Sequence, residues 1–102
     1  MRVQVVEGYF EYLANWYAAQ CDGDWEHEFG IRLETLDNPG WSIGIDLVGT
    51  AAEGRVLERC RREMEKGKWV VFESTGASFE ASCDPLSLRE VIEEFRTLVE
   101  AP

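Results

Sequence analysis

The sequence predicts an α+β fold in which antiparallel hairpins are flanked by an N-terminal and a C-terminal helix packed on one face. Three observations predict it. Apolar side chains recur at helical spacing near both ends of the chain. Two runs of alternating polarity meet at Asn38-Pro39-Gly40. Further extended runs after residue 68 are separated by Ser74-Thr75-Gly76. Each amphipathic helix needs an apolar surface, and one face of a sheet supplies it. A length of 102 residues suits one domain, residues 1–102, with a modest core.

Over residues 4–20, Val6, Phe10, Leu13, Trp16 and Tyr17 recur at helical spacing, with Tyr9 filling in. Gly8 weakens this helix without vetoing it. Asp22-Gly23-Asp24 reads as the turn that stops it. Residues 28–36 alternate, with Phe29, Ile31 and Leu33 set against Glu28, Arg32 and Glu34, the period of a strand with one buried face. At Asn38-Pro39-Gly40 the proline presets one φ and the glycine permits a positive one, which makes a tight turn. Residues 41–48 alternate again. Trp41, Ile43, Ile45 and Leu47 fall on one side and Ser42, Gly44 and Asp46 on the other, completing a hairpin.

Residues 55–66 are ambiguous from local pattern. Val56, Cys60 and Met64 lie four apart among good helix formers. A strand over the same residues would lead through a turn at Gly67 into the strand Trp69-Val70-Val71-Phe72. Ala77 to Cys83 forms the next strand. Asp84-Pro85 opens the last helix, with Asp84 as cap and Pro85 at the first position; alternatively Ser87 and Glu90 form a capping box. Leu88, Val91, Ile92, Phe95, Leu98 and Val99 make its apolar face.

Twenty acidic residues against ten basic ones give a net charge of −10. That balance argues against nucleic acid and anionic membrane as partners, since both call for Lys and Arg. It favours rapid association with something basic. The charge is uneven: residues 21–50 carry a net −6 and residues 73–102 a net −5, whereas residues 51–72 carry +2. No apolar run is long enough to span a bilayer, and the first residues lack a signal-peptide pattern, so the expected location is the cytoplasm. The three cysteines, Cys21, Cys60 and Cys83, are odd in number and widely spaced. They are expected to be reduced, with Cys60 and Cys83 acting as small apolar residues.

Asp22, Asp24, Glu26, His27 and Glu28, with Cys21, form the densest ligand-like cluster. It has neither the Cys nor the His spacing of a zinc site, nor a complete calcium-binding loop, so no metal and no cofactor are expected. A Cys21 nucleophile with His27 as base would need an orienting group and an oxyanion site, and the sequence specifies neither. No catalytic residue is therefore assigned. Arg55, Arg59, Arg61 and Arg62 are too few, in too acidic a chain, to form a nucleic-acid surface; they are expected to pair with neighbouring acids. Trp25 and Trp41 are the aromatic candidates for contact with a partner, and packing against the first helix is the competing use of both. Asp22, Asp24, Glu26, Asp37 and Asp46 are expected at the surface, because isolated carboxylates are rarely buried.

The stretch from Trp16 to Thr50 carries a further signal. Its Trp16-Tyr17, its run from Gln20 to His27, Gly30-Ile31, its run from Thr35 to Trp41, Ile45-Asp46-Leu47 and Gly49-Thr50 resemble the immunity protein 53 family of bacterial polymorphic-toxin systems. Trp69, Phe79 and a helix from Pro85 to Phe95 fit in order and spacing, so the resemblance covers nearly the whole chain. It implies an α+β domain marked by a Trp-Glu dipeptide, here Trp25-Glu26, and a role in neutralising a toxin encoded next door. It also implies a β-like alternation over residues 55–66, which Arg61 and Arg62 interrupt in this chain. With that stretch taken as a strand, the sheet has about five antiparallel strands.

Charge and resemblance together lead to one expectation: a non-enzymatic immunity protein that binds a cognate toxin and occludes its basic active-site region. A nuclease, with a site evolved for phosphate, is a toxin of that kind. The expected partner-binding residues are Asp22, Asp24, Trp25, Glu26, Asp37, Trp41 and Asp46. Homodimerisation is left open. The alternatives are a small cytosolic enzyme built on Cys21 and His27, and a homodimeric adaptor or structural protein.

Overall fold

Alternating polarity on either side of Asn38-Pro39 produces the first hairpin, β1 (Ile31–Leu36) and β2 (Gly40–Asp46). The computed structural model describes residues 8–102. Three further strands, β3 (Val56–Glu63), β4 (Trp69–Thr75) and β5 (Ser78–Cys83), complete a five-stranded sheet in the order β1-β2-β5-β4-β3. Every neighbouring pair is antiparallel. β1 and β3 are therefore the two edges, and β2, β5 and β4 are interior.

The register places Ile43 opposite Ala81, Ile45 opposite Phe79, and Val70 and Phe72 opposite Cys83 and Ala81. These side chains share one face. They form a single apolar cluster with Leu13 of helix α1 (Tyr9–Gln20) and with Leu88, Val91, Ile92 and Phe95 of helix α3 (Leu88–Glu100). The α3 residues recur at i, i+3, i+4 and i+7, so one stripe of the helix is buried. Each such side chain contributes about 1.5–3 kcal/mol on leaving water. The Phe95 ring meets Trp16 of α1 edge-on at 5.0 Å and Phe79 of β5 at 5.4 Å, which ties both helices to the sheet. The other face carries Ser42, Gly44, Asp46, Glu73, Glu80 and Ser82, and no described helix packs on it.

Residues 56–63 form a strand despite their helix-favouring composition. Cys60 faces Phe72, with the register shifting between Leu57 and Cys60. Arg62 stands on the helix-covered face where an apolar residue would be expected. Its guanidinium lies 5.6 Å above the Phe72 ring and reaches Glu94 of α3 at 2.9 Å. A long arginine stem thus covers the apolar surface while its head stays wet. Tertiary packing overrides local propensity here.

Three element boundaries differ from those predicted. Gly8 precedes α1, and its amide donates to the Glu11 carboxylate at 3.0 Å; the predicted start of this helix, with Val6, lies outside the described residues. Trp25–Glu28 winds into one short helix, α2, where the sequence pattern suggested a turn leading into a strand. Ser87 is the N-cap of α3 but makes no side-chain capping bond. The Asp84 carboxylate instead accepts from the Trp69 amide at 2.7 Å and the Leu86 amide at 2.9 Å, so it links β4 to the loop before α3.

Candidate partner-binding site

The loop between α1 and β1 is built by its own carboxylates. Asp22 accepts from the amides of Asp24 and Trp25 at 2.9 and 3.0 Å, which starts α2. These backbone hydrogen bonds, the Trp25 amide first, hold the Asp22 carboxyl below the usual range. Glu26 reaches back to the Asp22 and Gly23 amides at 2.9–3.1 Å. Gly23 takes a φ of 99°, open to glycine without strain. Asp24 is exposed, and its carboxylate accepts no hydrogen bond from the described residues.

Trp25 hangs below this acidic loop and is only 7% exposed. Its indole N–H donates to the Val48 carbonyl at 2.8 Å. Its ring meets Trp16 at 6.2 Å and Tyr17 at 6.1 Å, both edge-on, and Phe29 at 6.0 Å. Gly49, at φ 80°, passes so close that a Cβ there would sit 3.2 Å from the indole. Trp25 therefore fastens the acidic loop to the segment that follows β2.

The remaining expected residues lie elsewhere. Asp46 ends β2 on the uncovered face, where Arg32 reaches both of its oxygens at 3.1 and 3.2 Å and the Gly30 amide donates at 3.0 Å. Burial pushes this carboxyl up, and the Arg32 and Gly30 contacts outweigh it, so it stays below the usual range. Trp41 is half-buried on the helix-covered face, its indole N–H donating to the Pro85 carbonyl at 3.0 Å. Asp37 is exposed in the β1–β2 turn. The structure thus gathers Asp22, Asp24, Trp25 and Glu26 in one loop and leaves Asp37, Trp41 and Asp46 at separate positions on the β1–β2 hairpin.

The Cys21 thiol donates to the Tyr17 carbonyl at 3.4 Å, and His27 is exposed on α2. Among the described residues no three His, Cys, Asp or Glu side chains gather as metal ligands. The arginines pair with acids: Arg59 with Glu73 at 3.1 Å, Arg61 with Glu63 at 3.0 Å and Arg62 with Glu94. Arg55 donates to the carbonyls of Leu98 and Ala101 at the end of α3.

One surface escaped the sequence reading. Phe10, Ala14 and Tyr17 of α1 stand beside Ile31 of β1 around an apolar groove. The signal was available, because Tyr9, Phe10, Tyr12, Leu13, Trp16 and Tyr17 are six large apolar residues in nine positions. That arc is wider than one buried stripe can take.

Acids spent on holding turns, beside a helix-backed antiparallel sheet, belong to a small α+β protein. The chain belongs to the immunity protein 53 family, whose model matches residues 10–100. No curated protein and no solved structure matches it. Membership supports a role as an immunity protein, and with it a protein partner such as a toxin. Among the described residues no helix is long and apolar enough to cross a membrane.

Proposed function

We propose that this protein binds a cognate bacterial toxin in the cytoplasm and neutralises it by covering the toxin's basic active-site region. It does so by binding, without chemistry of its own. The observation that carries this reading is the family match over residues 10–100. Charge supports it: residues 21–50 hold seven acids and one arginine, and that arginine is engaged by Asp46. A surface of this sign attracts a basic groove, such as that of a nuclease, and speeds the encounter. Asp22, Asp24, Glu26, Asp37 and Asp46 supply the field, Trp25 fastens the loop that carries the first three, and half-buried Trp41 adds an aromatic contact on the hairpin.

Co-expression is the first test. The toxin encoded beside this gene should be tolerated with the protein and lethal without it; killing in both cases would refute the reading. Asp22 and Glu26 hold their own loop, so the cleaner charge reversal uses Asp24→Lys with Asp37→Lys. That pair should weaken toxin binding about tenfold and flatten its salt dependence. An affinity within twofold of wild type would remove the acidic turns from the interface.

A further inference from the structure

Helix α1 carries more apolar surface than the core takes. Leu13 is buried, and Tyr9, Tyr12 and Trp16 pack against the core. Phe10 is 45% exposed and Tyr17 38% exposed. With Ala14 these two form an i, i+4, i+7 stripe along the outside of the helix. Beside the stripe runs edge strand β1, whose Leu33 is 36% exposed. Phe10, Leu13, Ala14, Tyr17, Gly30 and Ile31 line a groove of about 330 Å³ between helix and strand.

The backbone of β1 adds a second observation. The Asp46 amide donates to the Gly30 carbonyl at 3.1 Å, so Gly30 turns its main-chain groups toward β2. Successive residues of a strand turn theirs to opposite sides. The N–H and C=O groups of Ile31, Leu33 and Thr35 therefore point outward, away from β2. The same three residues lie opposite Ile45, Ile43 and Trp41, so their side chains share the face that bears the groove. An added extended segment would bond to these main-chain groups and send every second side chain toward α1, the mode known as β-augmentation.

The charge of this region selects the occupant. Residues 9–37, which build the groove and its rim, contain seven acids and a single arginine, Arg32. Arg32 is committed to Asp46 at 3.1 Å, with Glu80 at 3.9 Å. Glu34 projects from the opposite face of β1. A second copy of this chain would bring its own −10 charge against the same surface, whereas a cationic segment gains from it.

We propose that β1 is the docking strand for the toxin: an extended segment of the toxin, alternating apolar and basic residues, joins the sheet as a sixth strand and seats its apolar side chains between α1 and β1. The proposal rests on the toxin-binding reading and deepens it by naming the surface.

Titration calorimetry with the toxin domain encoded beside this gene tests it, using wild type, Leu33→Lys, Thr35→Pro and Val56→Lys. Leu33→Lys places a cation on the groove-bearing face of β1, beside the groove itself, and should weaken binding at least about thirtyfold. Thr35→Pro removes an outward main-chain donor at a position where a free edge tolerates proline, and should weaken binding about tenfold. Val56, 67% exposed on the opposite edge strand β3, should be replaceable by Lys with less than a twofold change. Thermal melts establish that each variant is folded; if Leu33→Lys melts early, Phe10→Lys takes its place. Binding within twofold of wild type for the groove variant and Thr35→Pro would overturn the proposal and leave the toxin-binding reading standing. Loss in the groove variant but not in Thr35→Pro would overturn strand addition. A wild-type dimer that Leu33→Lys turns into a monomer would assign the edge to a second copy and overturn it as well. Failure of wild type itself to bind would fell the toxin-binding reading, and this proposal with it.

Discussion

The two edges of the sheet are guarded in opposite ways. Strand β3 has a register shift between Leu57 and Cys60 and carries Glu58, Arg59, Arg61, Arg62 and Glu63 within eight residues. Its arginines are tied down by Glu73, Glu63 and Glu94, and Arg61 lies 5.3 Å over the Trp69 ring. A bulged, charge-studded strand is a poor template for pairing with another chain. Strand β1 has an unbroken register with β2 and only Arg32 and Glu34 as charged residues, both on the uncovered face. On its other face an apolar groove opens beneath α1. Natural sheets blunt the edges they do not use. The contrast teaches that the chain protects one edge and leaves the other able to pair.

The largest test of this contrast is at the anchors of the two edges. Trp25→Ala removes a buried ring packed on Trp16, Tyr17 and Phe29 and should cost about 3–5 kcal/mol in urea denaturation. Trp69→Ala, beside β3, removes a half-buried ring and should cost about 1–2 kcal/mol. Equal losses would break the distinction between a core-anchored acidic loop and a surface-held basic hairpin.

Asp84→Ala comes next. It strips the Trp69 and Leu86 amides of their acceptor and should cost about 1–3 kcal/mol, since Asp84 is only 6% exposed. Burial pushes the Asp84 carboxyl up, but the Ser87 contact and the two amides outweigh it and keep the group below the usual range. Asp46 and Asp22 are depressed as well. A carboxylate whose folded-state pKa lies below its unfolded value, near 4, adds stability above that value. The contribution fades as the pH falls through the folded values. Denaturation midpoints should therefore decline below about pH 4, and less steeply in Asp84→Ala. An unchanged decline would remove Asp84 from this account.

A smaller effect sharpens the β3 side. Arg62→Leu keeps apolar cover over Phe72 while losing the half-wet pair with Glu94, and should change stability by no more than about 0.5 kcal/mol. A loss of several kcal/mol would mean that the ion pair, and not the stem, holds β3 to α3. The smallest change is kinetic. Alkylation of the native protein followed by mass spectrometry should label exposed Cys21 first and half-buried Cys60 next. Cys83 should react only on unfolding, because burial, aided by the Asp84 charge, pushes its thiol up to about 11.

The sheet and both long helices were legible because their apolar periods are regular. The hairpin around Asn38-Pro39 and the α3 stripe from Leu88 to Phe95 are written directly in residue spacing. Strand β3 was ambiguous in residue spacing and legible only through the family resemblance, since Arg62 replaces an apolar residue by covering Phe72 with its stem, and pattern reading scores a charge as exposed. Helix α2 was missed because its start depends on the Asp22 and Glu26 side chains folding back on the backbone, which propensity does not weigh. Of the candidate site, the exposure of Asp22, Asp24 and Asp37 followed from chemistry. The partial burial of Asp46 did not, because it depends on Arg32 crossing from the neighbouring strand. The groove between α1 and β1 depends on where the chain's surplus apolar residues meet in space, and spacing within one element cannot give that.

Backbone amide hydrogen exchange, read with and without the neighbouring toxin domain, tests the central claim most directly. The account requires new protection at the outward amides of β1, those of Ile31, Leu33 and Thr35, extending into α1 and the acidic loop, while β3 exchanges as before. Protection appearing along Val56–Glu63 with β1 unchanged would contradict it.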